Sequence, residues 1–90
     1  MIYVDEARHY PTCKLPTKYW CHMAADGNLK ELHAMACQLG LQHIWFHNKA
    51  ARPHYDITPL QRAQAIQLGA RAVSSKDLVR QCWPPRCRCG

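Results

Sequence analysis

The sequence predicts an α/β fold: a small mixed β-sheet of about four short strands packed with three helices. Three observations carry this. The chain has 90 residues and is 48% apolar, which suits one small domain with a limited core. Asn28, Thr58 and Ser74 each stand before apolar residues at helical spacing, the pattern of a capped helix start. Between these segments lie short β-branched and aromatic runs that read as strands. We read residues 1–82 as one compact domain and 83–90 as a Cys/Arg/Pro-rich tail.

In order, Ile2-Tyr3-Val4 reads as the first strand, with Asp5, Glu6 and Arg8 at its exit. Ligands usually sit at that edge of an open α/β sheet. Residues 9–18 hold Pro11 and Pro16 and read as a loop. Lys14 and Lys18 make it basic, so it is either a lid over an anion or a plain connection. Residues 19–24 form the second strand, with Trp20 and His22 on one face and Cys21 and Met23 on the other. Asp26-Gly27 turns the chain. Asn28 starts a helix with Glu31 at the capping-box position, and Leu29, Leu32, Ala36 and Leu39 form its stripe. Gly40 is the expected stop, with Leu41 closing a Schellman contact.

Residues 43–47 read as a third strand with Ile44 and Phe46 on one face. His43, Trp45 and His47 take the other, a face suited to stacking on a ring. After a basic loop with Lys49 and Arg52, the second helix runs from Pro59 to about Leu68 and stops at Gly69. Leu60, Ala63 and Ile66 supply its inner face. Residues 70–73 make a fourth strand. Ser74 caps a third helix with Asp77 at the box position and Leu78, Val79 and Cys82 for packing, ended by Pro84-Pro85. We see no internal repeat.

The formal charge of +6 favours anionic partners, although the basic residues are spread out. No apolar run approaches the about 18 residues a membrane span needs, and the N-terminus lacks a signal-peptide pattern. We expect a cytoplasmic protein without membrane contact. The six cysteines are then expected to be reduced. Cys82-x4-Cys87-x-Cys89 lacks the paired C-x2-C spacing of most structural zinc sites.

The chemistry concentrates in His54-Tyr55-Asp56-Ile57-Thr58-Pro59. Thr58 is a good N-cap, Pro59 suits the first helical position, and Gln61 completes a capping box. A helix N-terminus attracts anions, and His54, Asp56 and Arg62 crowd this one. We read His54-x-Asp56 as pointing its side chains apart on a strand and converging only in a turn.

The blocks Met1–Asp5, Trp20–Met23 with Asp26, Glu31–His33, Trp45-Phe46, His54–Pro59, Arg62 and Leu68–Ala70 resemble a family of small phage and bacterial domains of unknown function. The resemblance spans roughly residues 1–80. It implies a phage source and brings no activity or catalytic residue.

Three functions fit these residues. The first is a binding module that sequesters a phosphorylated, nucleotide-like ligand, an anti-defence sponge in a phage setting. Its ligand-binding residues would be Asp5, Arg8, His22, His33, Trp45, Arg52, His54, Tyr55, Asp56, Thr58 and Arg62, with a homo-oligomer compensating for the small core. The second is a metal-dependent phosphoesterase or nuclease using Asp5, His22, Asp26, His33, His54 and Asp56, although no compact metal motif appears. Cysteine catalysis is weaker, since Cys21 and His22 face opposite sides of a strand. The third is an inhibitor that binds a host protein or nucleic acid, without helix-turn-helix or zinc-finger spacing. The sequence assigns no cofactor and no metal site, and leans against an enzyme.

Overall fold

A computed structural model describes residues 1–9, 19–48 and 52–83. The basic loop with Lys14 and Lys18, Lys49, Pro84-Pro85 and the tail cysteines Cys87 and Cys89 lie outside the described residues.

The backbone forms β1 (Ile2–Val4), β2 (Arg8–His9), β3 (Tyr19–Ala25), α1 (Leu29–Gln38), β4 (Phe46–His47), β5 (His54–Ile57), α2 (Pro59–Gln67), β6 (Arg71–Ala72) and α3 (Ser75–Cys82). The strands run in the order β4-β5-β3-β1-β6, with β2 paired to β3. Among the described residues only β1 and β6 are parallel, so the sheet is mixed, as expected. Six strands among the described residues replace the expected four.

The additions are β2 and β5. The β5 segment looked like the lead-in to a helix, yet it is an inner strand. Tyr55 and Ile57 alternate inward while His54 and Asp56 stay half-buried. Its register on β3 sets Ile57 against Cys21, Asp56 against His22 and Tyr55 against Met23.

The expected strand over 43–47 is shorter than its sequence suggested. Residues His43–Trp45 form a 3-10 turn, with the Trp45 N–H donating to the Gln42 carbonyl at 3.0 Å. Only Phe46 and His47 reach Tyr55 and His54. In that register Trp45 and Ile44 fall opposite Asp56 and Ile57, yet they form the turn instead of extending the ladder. Ile44 is consequently exposed, and only Phe46 packs on the core.

The alternation of the strands separates two faces. On one face Val4, Cys21, Met23, Tyr55 and Ile57 pack against Leu32, Met35 and Ala36 of α1 and Ala65 of α2. On the other, Tyr3 and Ala24 pack against Leu78 of α3. The α3 layer is narrower, and His22, His47, His54 and Asp56 share its face beside the helix.

The helix ends follow their signals closely. Thr58 and Gln61 form the reciprocal capping box, and Ser74 Oγ accepts from the Asp77 N–H at 3.1 Å. Both α1 and α2 close with Schellman bonds: Leu41 donates to Ala36 and Ala70 to Ala65, each at 2.9 Å. Gly40 and Gly69 hold the positive φ these stops need, +78° and +111°.

Two expectations are corrected. Glu31 does not close a box on Asn28. Asn28 caps the Lys30 N–H at 2.8 Å, while Glu31 pairs with the Met1 ammonium at 2.6 Å. In α2 the inward residue is Ala65, flanked by half-buried Gln61 and Arg62, and Leu60 is 70% exposed. The Arg62 Nε–H donates to the Asp5 carbonyl at 2.6 Å, which fixes the helix rotation with that edge inward.

Candidate functional site

Asp5 follows the C-terminal end of β1 and is buried, 1% exposed. A buried carboxylate must find donors. One oxygen accepts the His22 backbone N–H at 2.6 Å. The other lies 2.8 Å from His22 Nδ1 and accepts the Ser75 hydroxyl at 3.1 Å. Burial pushes the Asp5 carboxyl up, but the bonds from His22 and Ser75 outweigh it and hold it below the usual carboxylate range. Asp5 is therefore an anion that takes donors only.

The β3–β5 register places His22 opposite Asp56, and His54 is two residues before Asp56 on the same face. His54 Nε2 is 3.3 Å from Asp56 Oδ1, and His22 Nε2 is 3.9 Å from the same oxygen. His47, opposite His54, brings Nε2 to 3.5 Å from Asp56 Oδ2. The expectation that His54 and Asp56 point apart is thus overturned. Residues i and i+2 of a strand share a face, so an extended segment brings them together.

On the other ring nitrogen, His54 Nδ1 lies 2.8 Å from the Arg52 carbonyl. Burial pushes the His54 imidazole down, but Asp56 and that carbonyl outweigh it and raise its pKa above 6.5. Burial pushes Asp56 up, and its histidine neighbours bring it below the ordinary carboxylate value.

Beside this cluster is a half-open pocket of ≈ 440 Å³ lined by Asp5, Arg8, His22, Arg52, His54, Ser75, Val79 and Trp83. That volume falls within the range of small-molecule sites. Trp83 stands edge-on to both His22 and His54, at centroid distances of 6.1 and 5.5 Å. Its indole N–H donates to the Pro53 carbonyl at 3.2 Å. The Arg8 Nε–H donates to Ser75 Oγ at 3.3 Å, tying β2 to the start of α3.

Of the eleven residues singled out from sequence, Asp5, Arg8, His22, Arg52 and His54 line this pocket, and Asp56 adjoins it through the two histidines. Arg62 holds the backbone of Asp5. Thr58 serves the helix cap. Tyr55 and His33 lie across the sheet, where the Tyr55 hydroxyl meets His33 Nδ1 at 2.8 Å among His43 and Phe46. Trp45 is in the 3-10 turn, 46% exposed, away from the pocket lining.

Sequence reading passed over Ser75, Val79, Trp83 and His47 as site residues. The first three recur every four residues, one stripe of a helix, so helical spacing contained the signal. His47 shares its expected strand face with His43 and Trp45, and its link to Asp56 depends on the β4–β5 pairing. Cys21 is no nucleophile here: it is fully buried on the opposite face from His22, and burial pushes its thiol up to about 11.

Among the described residues no helix is long and apolar enough to cross a membrane. Residues 2–83 match the model of a family described as protein of unknown function (DUF4031). No curated protein and no solved structure matches the chain.

Proposed function

The chain belongs to that family of unknown function, so its role must be read from the pocket, and we propose that it binds and sequesters a phosphorylated, nucleotide-like small molecule there. The observation behind this reading is that Arg8 and Arg52 line one pocket with Trp83. Guanidinium groups match phosphate oxygens in charge and geometry. An indole offers a face for a base or similar ring. His22 and His54 add polar groups between them, and the net charge of +6 favours an anionic partner.

Sequestration requires only tight binding. In a phage-encoded protein it would remove a signalling nucleotide of host defence from solution. A homo-oligomer with a second copy over the half-open pocket is part of this proposal, and so is a location in the cytoplasm.

The test is native mass spectrometry of the full chain with a panel of mononucleotides, cyclic nucleotides and ADP-ribose-type compounds. A complex at the mass of intact ligand, with the same ligand recovered after denaturation, supports sequestration and gives the subunit number. Recovery of a converted product replaces it with the phosphoesterase reading. No complex with any compound, or one undiminished in Arg8→Ala/Arg52→Ala, overturns the proposal.

A further inference from the structure

The histidine cluster has a feature that phosphate binding does not explain. Both partners of the Nδ1 atoms are acceptors only: the Asp5 carboxylate for His22, and the Arg52 carbonyl for His54. Each Nδ1 must therefore carry the proton. In the neutral rings the Nε2 lone pairs are then left free, and both approach Asp56 Oδ1, at 3.9 and 3.3 Å. Two lone pairs facing one carboxylate repel unless a cation or extra protons lie between them.

We infer that His22 Nε2, His54 Nε2 and the Asp56 carboxylate hold a divalent first-row transition-metal ion. One ligand atom from each residue lies within 4.8 Å of the others. A tetrahedral zinc site, with bonds of about 2.0–2.1 Å, has ligand–ligand edges of about 3.4 Å. The His54–Asp56 edge already meets that value, the His22–Asp56 edge needs a closure of about 0.5 Å, and the His22–His54 edge, within 4.8 Å, must close with it by side-chain rotation.

The surroundings support the assignment. Metal-bound histidines usually donate their other N–H to a carboxylate or a backbone carbonyl. His22 and His54 have one of each. Asp56 has its second oxygen beside His47. Two imidazoles with one carboxylate select Zn²⁺, Mn²⁺, Fe²⁺ or Co²⁺ over Mg²⁺ and Ca²⁺, which prefer oxygen donors. The three side chains leave coordination positions free. Because His22 and His54 also line the pocket, an ion there adds a cation beside Arg8 and Arg52. The site goes beyond phosphate binding and stands without it, since its three ligands require no other molecule.

The test uses metal alone. The full chain, stripped with a chelator and kept reduced, is titrated with Zn²⁺ by calorimetry and with Co²⁺ by visible absorption. One ion per chain is expected at this site, with a Co²⁺ spectrum free of thiolate charge-transfer bands. Mg²⁺ in excess should not compete. His54→Gln and Asp56→Asn should each weaken binding on the order of 100-fold, and Asp5→Asn about 10-fold. A second measurement needs no variant: in long-range ¹H–¹⁵N spectra of the wild type, Zn²⁺ should shift Nε2 of His22 and His54 and leave His9 unmoved. Absence of binding overturns the inference. So does binding carried by cysteines alone, or a titration that leaves both Nε2 signals in place. Failure here leaves the nucleotide experiment unaffected, because no phosphorylated compound is present.

Discussion

Asp5 grips His22 at two points, accepting its backbone N–H at 2.6 Å and facing its Nδ1 at 2.8 Å. The pair joins β1 to β3 and also sets the direction of the His22 ring. In Asp5→Asn one carboxylate oxygen becomes an amide NH₂, which must face a donor. We expect a loss of about 2 kcal/mol of stability, the scale of one charge-assisted bond in a buried setting. Urea denaturation measures it. A variant as stable as wild type would mean that the pair contributes nothing to folding.

Thr58 separates capping from binding. Its hydroxyl accepts the Gln61 N–H at 3.2 Å, and the Gln61 side chain accepts the Thr58 N–H at 3.0 Å. Thr58→Ala is expected to cost about 1 kcal/mol and to leave ligand affinity unchanged. Thermal melts together with ligand titration would show this. A large affinity loss at unchanged stability would place Thr58 in the site after all.

The arginines should behave in the opposite way. Arg8 and Arg52 are exposed, so replacing either with Ala should change stability by less than about 0.5 kcal/mol. Each loss should weaken a phosphorylated ligand about 10-fold, near 1.4 kcal/mol. Affinity should also fall as salt rises. Binding that ignores both charge and salt would count against phosphate recognition.

His33 gives a pH signature with a definite sign. Burial, with the nearby His43 charge, holds its imidazole below 6.5 in the fold. The neutral ring is favoured, so its contribution is fully present above pH 6.5 and is lost as pH falls through the folded value. In His33→Gln, metal-free, the loss of urea stability between pH 7.5 and 5 should be shallower than in wild type. The raised pKa of His54 acts with the opposite sign in both proteins, so the comparison isolates His33. Identical slopes would remove His33 from the account.

Thiol reactivity should follow burial. Cys37 is exposed, whereas burial pushes Cys21 up to about 11 and Cys82 up to about 12. Alkylation of the native chain at pH 7.5, mapped by peptide mass spectrometry, should modify Cys37 well before Cys21 or Cys82. Early modification of Cys21 would show that β3 opens readily.

Local chemistry made much of this protein legible in its sequence. Asn28, Thr58 and Ser74 cap helices and Gly40 and Gly69 stop them because caps and positive-φ stops involve atoms only a few residues apart. The strands at Ile2–Val4 and Tyr19–Ala25 showed in their residue types. Asp5, His22, His54 and Asp56 could be named from sequence as chemically rich residues, but no spacing shows that they meet. Their meeting depends on β3 pairing antiparallel with both β1 and β5, in a register that brings residues 5, 22 and 56 together. A shift of one residue would turn every one of these side chains to the opposite face. The same long-range packing rotated α2 toward Ala65 and brought Ser75 and Trp83 to the pocket. Capping was decided within each segment, and the site by contacts between residues far apart in the chain.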